Sequence, residues 1–361
     1  MKKWFSFILA LVLFAVAGLA LMVQYYPAVL HPEQQSGFSV LFLDVGQGDS
    51  ALVQCAGHAM LIDGGERSNS QKIYSVLKKQ GISHLDLVIA SHPHADHVGG
   101  LAAAFQAADA ELVLCSTTDA SGETFQDFSR YAAQNGNGIQ VPEAGTVYSL
   151  GSARVEILGL NAAPEGNDSS IILRVTYGQN SFLFTGDGSF EAENALIRSG
   201  IDLHADVLKV GHHGSSDSTD EAFLAAVDPK YTVISVGKQN SYGHPSAATL
   251  ELLRKTCRSV YRTDLQGDIL ITSDGRQLSV STEKSTSDAE IFTPGVFAEP
   301  AAGISNIAFQ YSYIANKNSM VFHLPSCPST TQMKESNKVF LTGTREDAIA
   351  QGYSPCGNCK P

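Results

Sequence analysis

A chain of 361 residues, 43% hydrophobic and 17% charged, has enough apolar material for one large domain and a small one, which excludes a mainly disordered protein. Its formal net charge of -12 argues against a broad basic footprint for nucleic acid, although cations held in an acidic site would reverse the field locally.

The first element is apolar. Met1-Lys2-Lys3 leads into a run from Trp4 to Val23 almost free of charge, the n-region and h-region of an export signal. The run is long for a cleaved signal and just long enough to span a bilayer. Small residues at Ala15, Ala17 and Ala20 leave cleavage open, so residues 1–35 read as a signal peptide or a membrane anchor with its link. The positive-inside rule then places the remainder outside the cytoplasm, secreted or held at the outer face of the membrane. Six cysteines in an exported chain suggest disulfides, but Cys55, Cys115 and Cys257 sit singly in apolar surroundings and read as small buried hydrophobes.

A folded domain is expected over 36–283. Strand-like runs fall at Phe38 to Leu43, Ala51 to Gln54, His58 to Ile62, Leu85 to Ala90, Glu111 to Cys115, Arg154 to Leu158, Ser170 to Val175, Ser181 to Thr185, Val207 to Val210, Tyr231 to Ser235 and Asp268 to Ile271. Helical patterns separate several of them, at Gln71 to Gln80, Glu191 to Ser199 and Ala247 to Thr256, with a further helix starting at Leu101. Early hairpin spacing followed by strand-helix alternation fits a layered α/β architecture with two sheets inside helices. Residues 284–306, rich in Ser, Thr, Ala, Pro and Gly, read as a linker to a small module at 307–361.

The chemistry concentrates at Ser91 to Gly100, SHPHADHVGG, where the apolar run LDLVIA delivers His92, His94, Asp96 and His97 into one loop. Offsets of i, i+2, i+4 and i+5 suit a turn around metal better than a helix face. Imidazoles with a carboxylate favour a catalytic site that keeps an open position. Similar strand ends follow. Asp63 precedes Gly64-Gly65, where it can orient ligands; Asp187 ends FLFTGD, where it can bridge two ions; and VLKVGHHGSS delivers His212 and His213 with Ser215. The tract from Asp44 to Asp49 is a Gly-rich turn whose carboxylates have no assigned role.

Taken in order, these motifs resemble the metallo-β-lactamase superfamily over roughly residues 38 to 283. The tracts FLDVGQGDSALVQ, LIDGG, NDSSIILRV, FLFTGD, LKVGHHGSS and YGHPS look like the hydrolase domain of ComEC-type DNA-uptake proteins and related secreted phosphodiesterases. The resemblance implies a four-layer αββα fold, a site for two divalent ions such as zinc or manganese, and phosphate esters as substrates. It implies that His92 and His94 hold the first ion, Asp96 and His97 the second, and that Asp187 bridges. One of His212 and His213 would be the last ligand and the other a contact to substrate phosphate, with Asp96 also accepting a hydrogen bond from the nucleophile. The superfamily's third motif is a histidine, whereas Asn167-Asp168-Ser169-Ser170 stands in that place here, a loss shared by ComEC-like relatives. His244 then either compensates or touches substrate.

In the C-terminal module His323, Cys327, Cys356 and Cys359 supply one imidazole and three thiolates, the ligand set of a closed structural zinc site. The tract resembles the metal-binding domain of Ada-type proteins, so one structural zinc is expected to supply much of its folding energy. A disulfide between two of these cysteines is the competing reading. The combined expectation is an extracytoplasmic metal-dependent nuclease acting on DNA. A phosphodiesterase for phosphocholine or a nucleotide, or an envelope binding protein with a degenerate metal site, are the alternatives, and the sequence carries no signal for oligomeric state.

Overall fold

The computed structural model describes residues 37–135, 138–160, 166–257 and 259–295, then 313–323, 327–331, 333–334, 337–341, 345–350, 353–357 and 359. The export segment expected at 1–35 lies outside the described residues. No helix among the described residues is long and apolar enough to cross a membrane. The chain divides into two compact units, 1–298 and 299–361.

In the first unit two sheets face each other. One runs in the order β15-β14-β1-β2-β3-β4-β5-β6, from β1 (Phe38–Phe42), β2 (Ala51–Cys55), β3 (His58–Ile62), β4 (His84–Ala90), β5 (Asp109–Cys115), β6 (Ile139–Gln140), β14 (Ile269–Ser273) and β15 (Leu278–Thr282). The other runs β13-β12-β11-β10-β9-β8-β7, from β7 (Val147–Leu150), β8 (Ala153–Gly159), β9 (Ile172–Tyr177), β10 (Asn180–Phe184), β11 (Val207–Lys209), β12 (Tyr231–Ile234) and β13 (Ser259–Arg262). Because successive side chains of a strand point to opposite faces, Val53, Met60, Phe182 and Phe184 fill the core between the sheets while Leu52, Leu61 and Leu183 face outward.

Those outward faces are covered too. Helices α1 (Ser70–Lys79), α2 (Ala95–Val98), α3 (Leu101–Ala107) and α4 (Glu123–Gln134) belong to one side, with Ile73, Leu77, Leu101 and Phe128 buried against Leu52 and Val88. On the other, α5 (Phe190–Ser199), α6 (Glu221–Val227) and α7 (Ala247–Thr256) bury Leu196, Phe223 and Leu253 against Leu183 and Leu208. The result is the αββα sandwich expected from the sequence. Its central strands, buried on both faces, read as continuous apolar runs for that reason.

Two differences have clear causes. Strands β7, β13 and β15 and helices α4 and α6 were not among the expected elements; β15, LSVST, is half exposed along its length and lacks an apolar run. Residues 284–295, expected as linker, continue the fold. There Ser287 and Glu290 form a reciprocal cap on α9 (Asp288–Ile291), which follows the short α8 (Thr263–Gln266). Ile291 is buried, and Arg262 Nη1 donates to the Ile291 carbonyl at 2.8 Å. A Ser/Thr-rich composition concealed a capping box and one buried apolar side chain.

The second unit has a four-stranded sheet, β18-β16-β17-β19, from β16 (Tyr313–Asn316), β17 (Val321–His323), β18 (Lys338–Leu341) and β19 (Ser354–Pro355). Its core among the described residues is Ala315, Phe322, Leu341 and Ala348, too little apolar area to hold a fold by itself.

Candidate metal centre

The topology explains the convergence of the motifs. Strands β3 and β4 are parallel, as are β10 and β11, so their C-terminal ends open in matched directions within each sheet. Asp63 follows β3, Ser91 to His97 follow β4, Asp187 follows β10 and Gly211 to Gly214 follow β11. The loops interlock through bare backbone: Gly64 N–H donates to the His97 carbonyl at 2.7 Å and Gly100 N–H to the Gly65 carbonyl at 3.0 Å. A Cβ on Gly100 would strike the Gly64 carbonyl, which accounts for glycine there.

Asp187 is the hub. Its Oδ2 lies 3.3 Å from His97 Nε2, 3.5 Å from His213 Nε2, 3.8 Å from His212 Nε2 and 3.9 Å from His92 Nε2. Asp96 Oδ2 stands 3.3 Å from His213 Nε2, and Asp96, His97, Asp187 and His213 form one cluster of metal-ligating atoms. His92 adjoins it, its ring 4.1 Å from that of His97, and His94 sits edge-on to His92 at 4.5 Å on the exposed rim.

Each buried imidazole is held by Nδ1 and presents Nε2. His97 Nδ1 donates to Asp63 Oδ2 at 2.9 Å, and Asp63 also accepts from the Ser91 hydroxyl at 2.8 Å and the Ser91 N–H at 2.7 Å. His92 Nδ1 lies 3.1 Å from Ser91 Oγ, and His213 Nδ1 donates to the Ser235 carbonyl at 2.9 Å with Asp49 Oδ1 at 3.1 Å. Strained backbone supports the aim: Asp63, His212 and His213 have φ of 57°, 45° and 53°, left-handed values that cost energy outside glycine.

This geometry tests whether metal fits. Among the described residues His92 Nε2, His97 Nε2, His213 Nε2 and Asp187 Oδ1 are buried and have no hydrogen-bond partner. Buried polar atoms left unpaired are costly, and those of His97 and His213 lie in one cluster with Asp96 and Asp187, with His92 beside it, so a divalent cation fits the donor set. The electrostatics agree. Burial opposes charge on His97 and His213, yet Asp187 with Asp63 for the first and Asp187 with Asp49 for the second lift both well above the ordinary imidazole range. Burial also opposes charge on Asp187, but His213 and His97 hold its carboxyl well below the usual value. Burial and the charge on His97 push His92 well down.

The remaining expected residues separate. The sequence left His212 and His213 interchangeable, whereas the structure buries His213 in the cluster and turns His212 outward. There His212 Nδ1 meets Asp217 Oδ1 at 2.9 Å, and Asn167 Nδ2 lies 3.2 Å from its Nε2. Asp168 does not face the cluster; its Oδ1 accepts the Ser189 N–H at 2.9 Å and braces the turn after Asp187. Ser170, two positions on, accepts the Asp187 N–H at 3.1 Å. Ser215 is buried; its N–H donates to the His212 carbonyl at 2.8 Å and its own carbonyl accepts the Thr249 hydroxyl at 2.7 Å. His244 is no member of the ligand cluster; its ring lies 5.5 Å from that of His212, edge to face.

Sequence reasoning missed Asp49 and Lys209 as a pair. Lys209 Nζ meets Asp49 Oδ2 at 2.7 Å, both side chains being buried. A lysine inside the apolar run VLKVG was the available signal, since a buried ammonium demands a carboxylate. Asp44 is, by contrast, a turn residue whose Oδ1 accepts the Gly46 N–H at 3.2 Å.

In the second unit, His323, Cys327, Cys356 and Cys359 come together with ligand atoms within 4.8 Å of one another. The buried His323 Nδ1 has no hydrogen-bond partner among the described residues, and the four side chains fit a tetrahedral cation.

Comparison with known proteins agrees with both units. A model of the metallo-beta-lactamase superfamily matches residues 43–238, and one of the metal binding domain of Ada matches residues 307–361. The chain is 30% identical over 260 residues to ComE operon protein 3 of Bacillus subtilis, covering 66% of this chain and 34% of that protein. It is 33% identical over 258 residues to Competence protein ComA of Neisseria gonorrhoeae, covering 70% and 34%. It therefore spans about a third of the length of these ComEC-type relatives. Among solved structures, the metallo-beta-lactamase fold protein YhfI from Bacillus subtilis is 15% identical, with a TM-score of 0.46, over 65% of this chain and 100% of that one.

Proposed function

Since the chain belongs to the metallo-beta-lactamase superfamily, we propose that its first unit is a metal-dependent phosphodiesterase that cleaves DNA on the extracytoplasmic side. One observation carries the reading: the buried Nε2 atoms of His97 and His213, which have no hydrogen-bond partner among the described residues, join Asp96 and Asp187 in one cluster of ligand atoms within 4.8 Å of one another. The relatives' names, which speak of competence and recombination, support DNA as substrate. The apolar run after Lys2-Lys3 supports export.

Asp96, His97, Asp187 and His213 would hold one divalent ion, and His92, His94 and Asp187 the other. Zinc or manganese bound there supplies a water of lowered pKa and charge to balance a phosphoryl group. The chain's own contribution is orientation. Asp63 and the Ser235 carbonyl set the rings of His97 and His213, Asp96 stands on the more open side to accept a hydrogen bond from water, and Asp217 aims His212 where it can donate to a phosphoryl oxygen. In the second unit, a structural zinc on His323, Cys327, Cys356 and Cys359 would stabilise the fold.

The test is turnover of single-stranded DNA, duplex DNA and a phosphocholine ester by the purified chain with added zinc or manganese. Cleavage of DNA that is lost in Asp187→Ala and in the double variant His92→Ala, His94→Ala supports the proposal. Undiminished turnover in both variants overturns it, and cleavage of the choline ester alone moves the substrate to a small phosphodiester.

A further inference from the structure

The loop between β12 and α7 brings an exposed aromatic ring to the edge of the metal centre. Tyr242 is 61% exposed. Its loop is nevertheless tightly held: the buried Asn240 accepts through Oδ1 from the N–H groups of Tyr242 and His244, each at 3.0 Å. Through Nδ2 it donates to the carbonyls of Gly237 at 2.9 Å and His244 at 2.6 Å. Gly237 N–H is tied in turn to Gln47 Oε1 at 3.1 Å, and Gly295 N–H to the Pro245 carbonyl at 2.9 Å.

The rings form a ladder toward the ligands. Tyr242 stacks on His244 with centroids 5.7 Å apart and planes 15° from parallel. His244 meets His212 edge to face at 5.5 Å, and His212 Nε2 is 3.8 Å from Asp187 Oδ2. Lys238, on the same loop, is exposed.

We propose that Tyr242 and His244 form a shelf on which a nucleobase stacks beside the scissile phosphate, so that the substrate is nucleic acid with unpaired bases. This rests on the phosphodiesterase reading above and narrows it. A large ring kept in solvent on a held backbone and stacked on His244 has less conformational freedom to lose, so a ligand that stacks on it gains contact at reduced entropic cost. Stacking needs an open base face, which a continuous duplex hides and a single strand or frayed end presents. Exposed Lys238 can meet the backbone of such a strand, and the shelf is sequence-tolerant because every base has a π-face.

The experiment uses the full chain and two single-stranded DNA oligonucleotides of equal length, one of ordinary bases and one with abasic residues at successive internal positions. Binding is read by fluorescence anisotropy and cleavage by steady-state kinetics, for the wild type, Tyr242→Ala and Tyr242→Phe. The wild type should prefer the base-bearing strand by roughly 5- to 100-fold, through Kd and KM more than kcat. Tyr242→Ala should collapse that preference toward one, and Tyr242→Phe should restore it. A preference that survives Tyr242→Ala overturns the shelf, as does equal binding of the two strands by the wild type. If the wild type binds but cleaves neither, the nuclease reading fails while anisotropy still decides the shelf; no binding to either strand overturns both the shelf and the nuclease reading.

Discussion

His97 is aimed from behind by an acid, Asp63, and His213 by the Ser235 carbonyl with the charge of Asp49 beside it. An imidazole ligand binds through the nitrogen that carries no proton, so the group on the opposite nitrogen selects the tautomer. Asp63→Asn keeps the shape but offers His97 Nδ1 an amide in place of a carboxylate. Affinity for zinc should fall roughly 10- to 100-fold, measured by competition with a chromophoric chelator; unchanged affinity would show that the ring is aimed by packing alone. Both members of the Lys209–Asp49 pair are buried. Lys209→Met would leave a carboxylate buried without its cation and should cost about 3–5 kcal/mol in denaturant unfolding of the first unit. Asp49 was legible as an acid in a Gly-rich turn, but its partner stands 160 positions away by subtraction of 49 from 209, and spacing along the chain carries no record of that contact.

At the level of elements, the loop that bears His212 and His213 is pinned by α5. Glu193 accepts the Thr219 N–H through both carboxylate oxygens, at 2.9 and 2.7 Å, and Thr219 Oγ1 accepts the Gly211 N–H at 3.1 Å. Burial raises the Glu193 carboxyl from 4.5 to about 8, against the bonds from Thr219 that favour its charge. The folded state therefore prefers the protonated acid. Its contribution is fully present below the unfolded value of 4.5 and is lost as pH rises through about 8. Glu193→Gln should flatten that fall, seen as a smaller drop in melting temperature between pH 5 and 9 than in the wild type; equal slopes would refute the assignment. The strands that deliver ligands were legible because burial on both faces makes them unbroken apolar runs. Half-exposed β15 and the short capped helix at Asp288–Ile291 were not, since neither shows an apolar period longer than a few residues.

Across the whole molecule the two units differ in how much of their fold metal is expected to supply. The first has three buried cores around its sheets, whereas the second has four described core residues and a Cys3His cluster. Chelation of the intact chain should leave hydrogen exchange in β1 to β5 slow while releasing β16 and β17. Cys356→Ser should reproduce the second effect without a chelator, because it removes one of the four ligating side chains. Protection retained in β16 and β17 in both cases would mean that the small sheet stands without zinc. By itself the sequence determined the layered α/β class, the candidate ligand loop at His92 to His97 and the candidate Cys3His set, because apolar runs and clustered His, Asp and Cys residues are local properties of the chain. Only the tertiary structure decided that His213 and not His212 enters the buried cluster, that Asp168 braces a turn, and that Asp49 with Lys209 stands behind His213. Those outcomes depend on two sheets packing face to face and on loops crossing at bare glycine backbone, which join residues whose separation along the chain is unrelated to their distance in space.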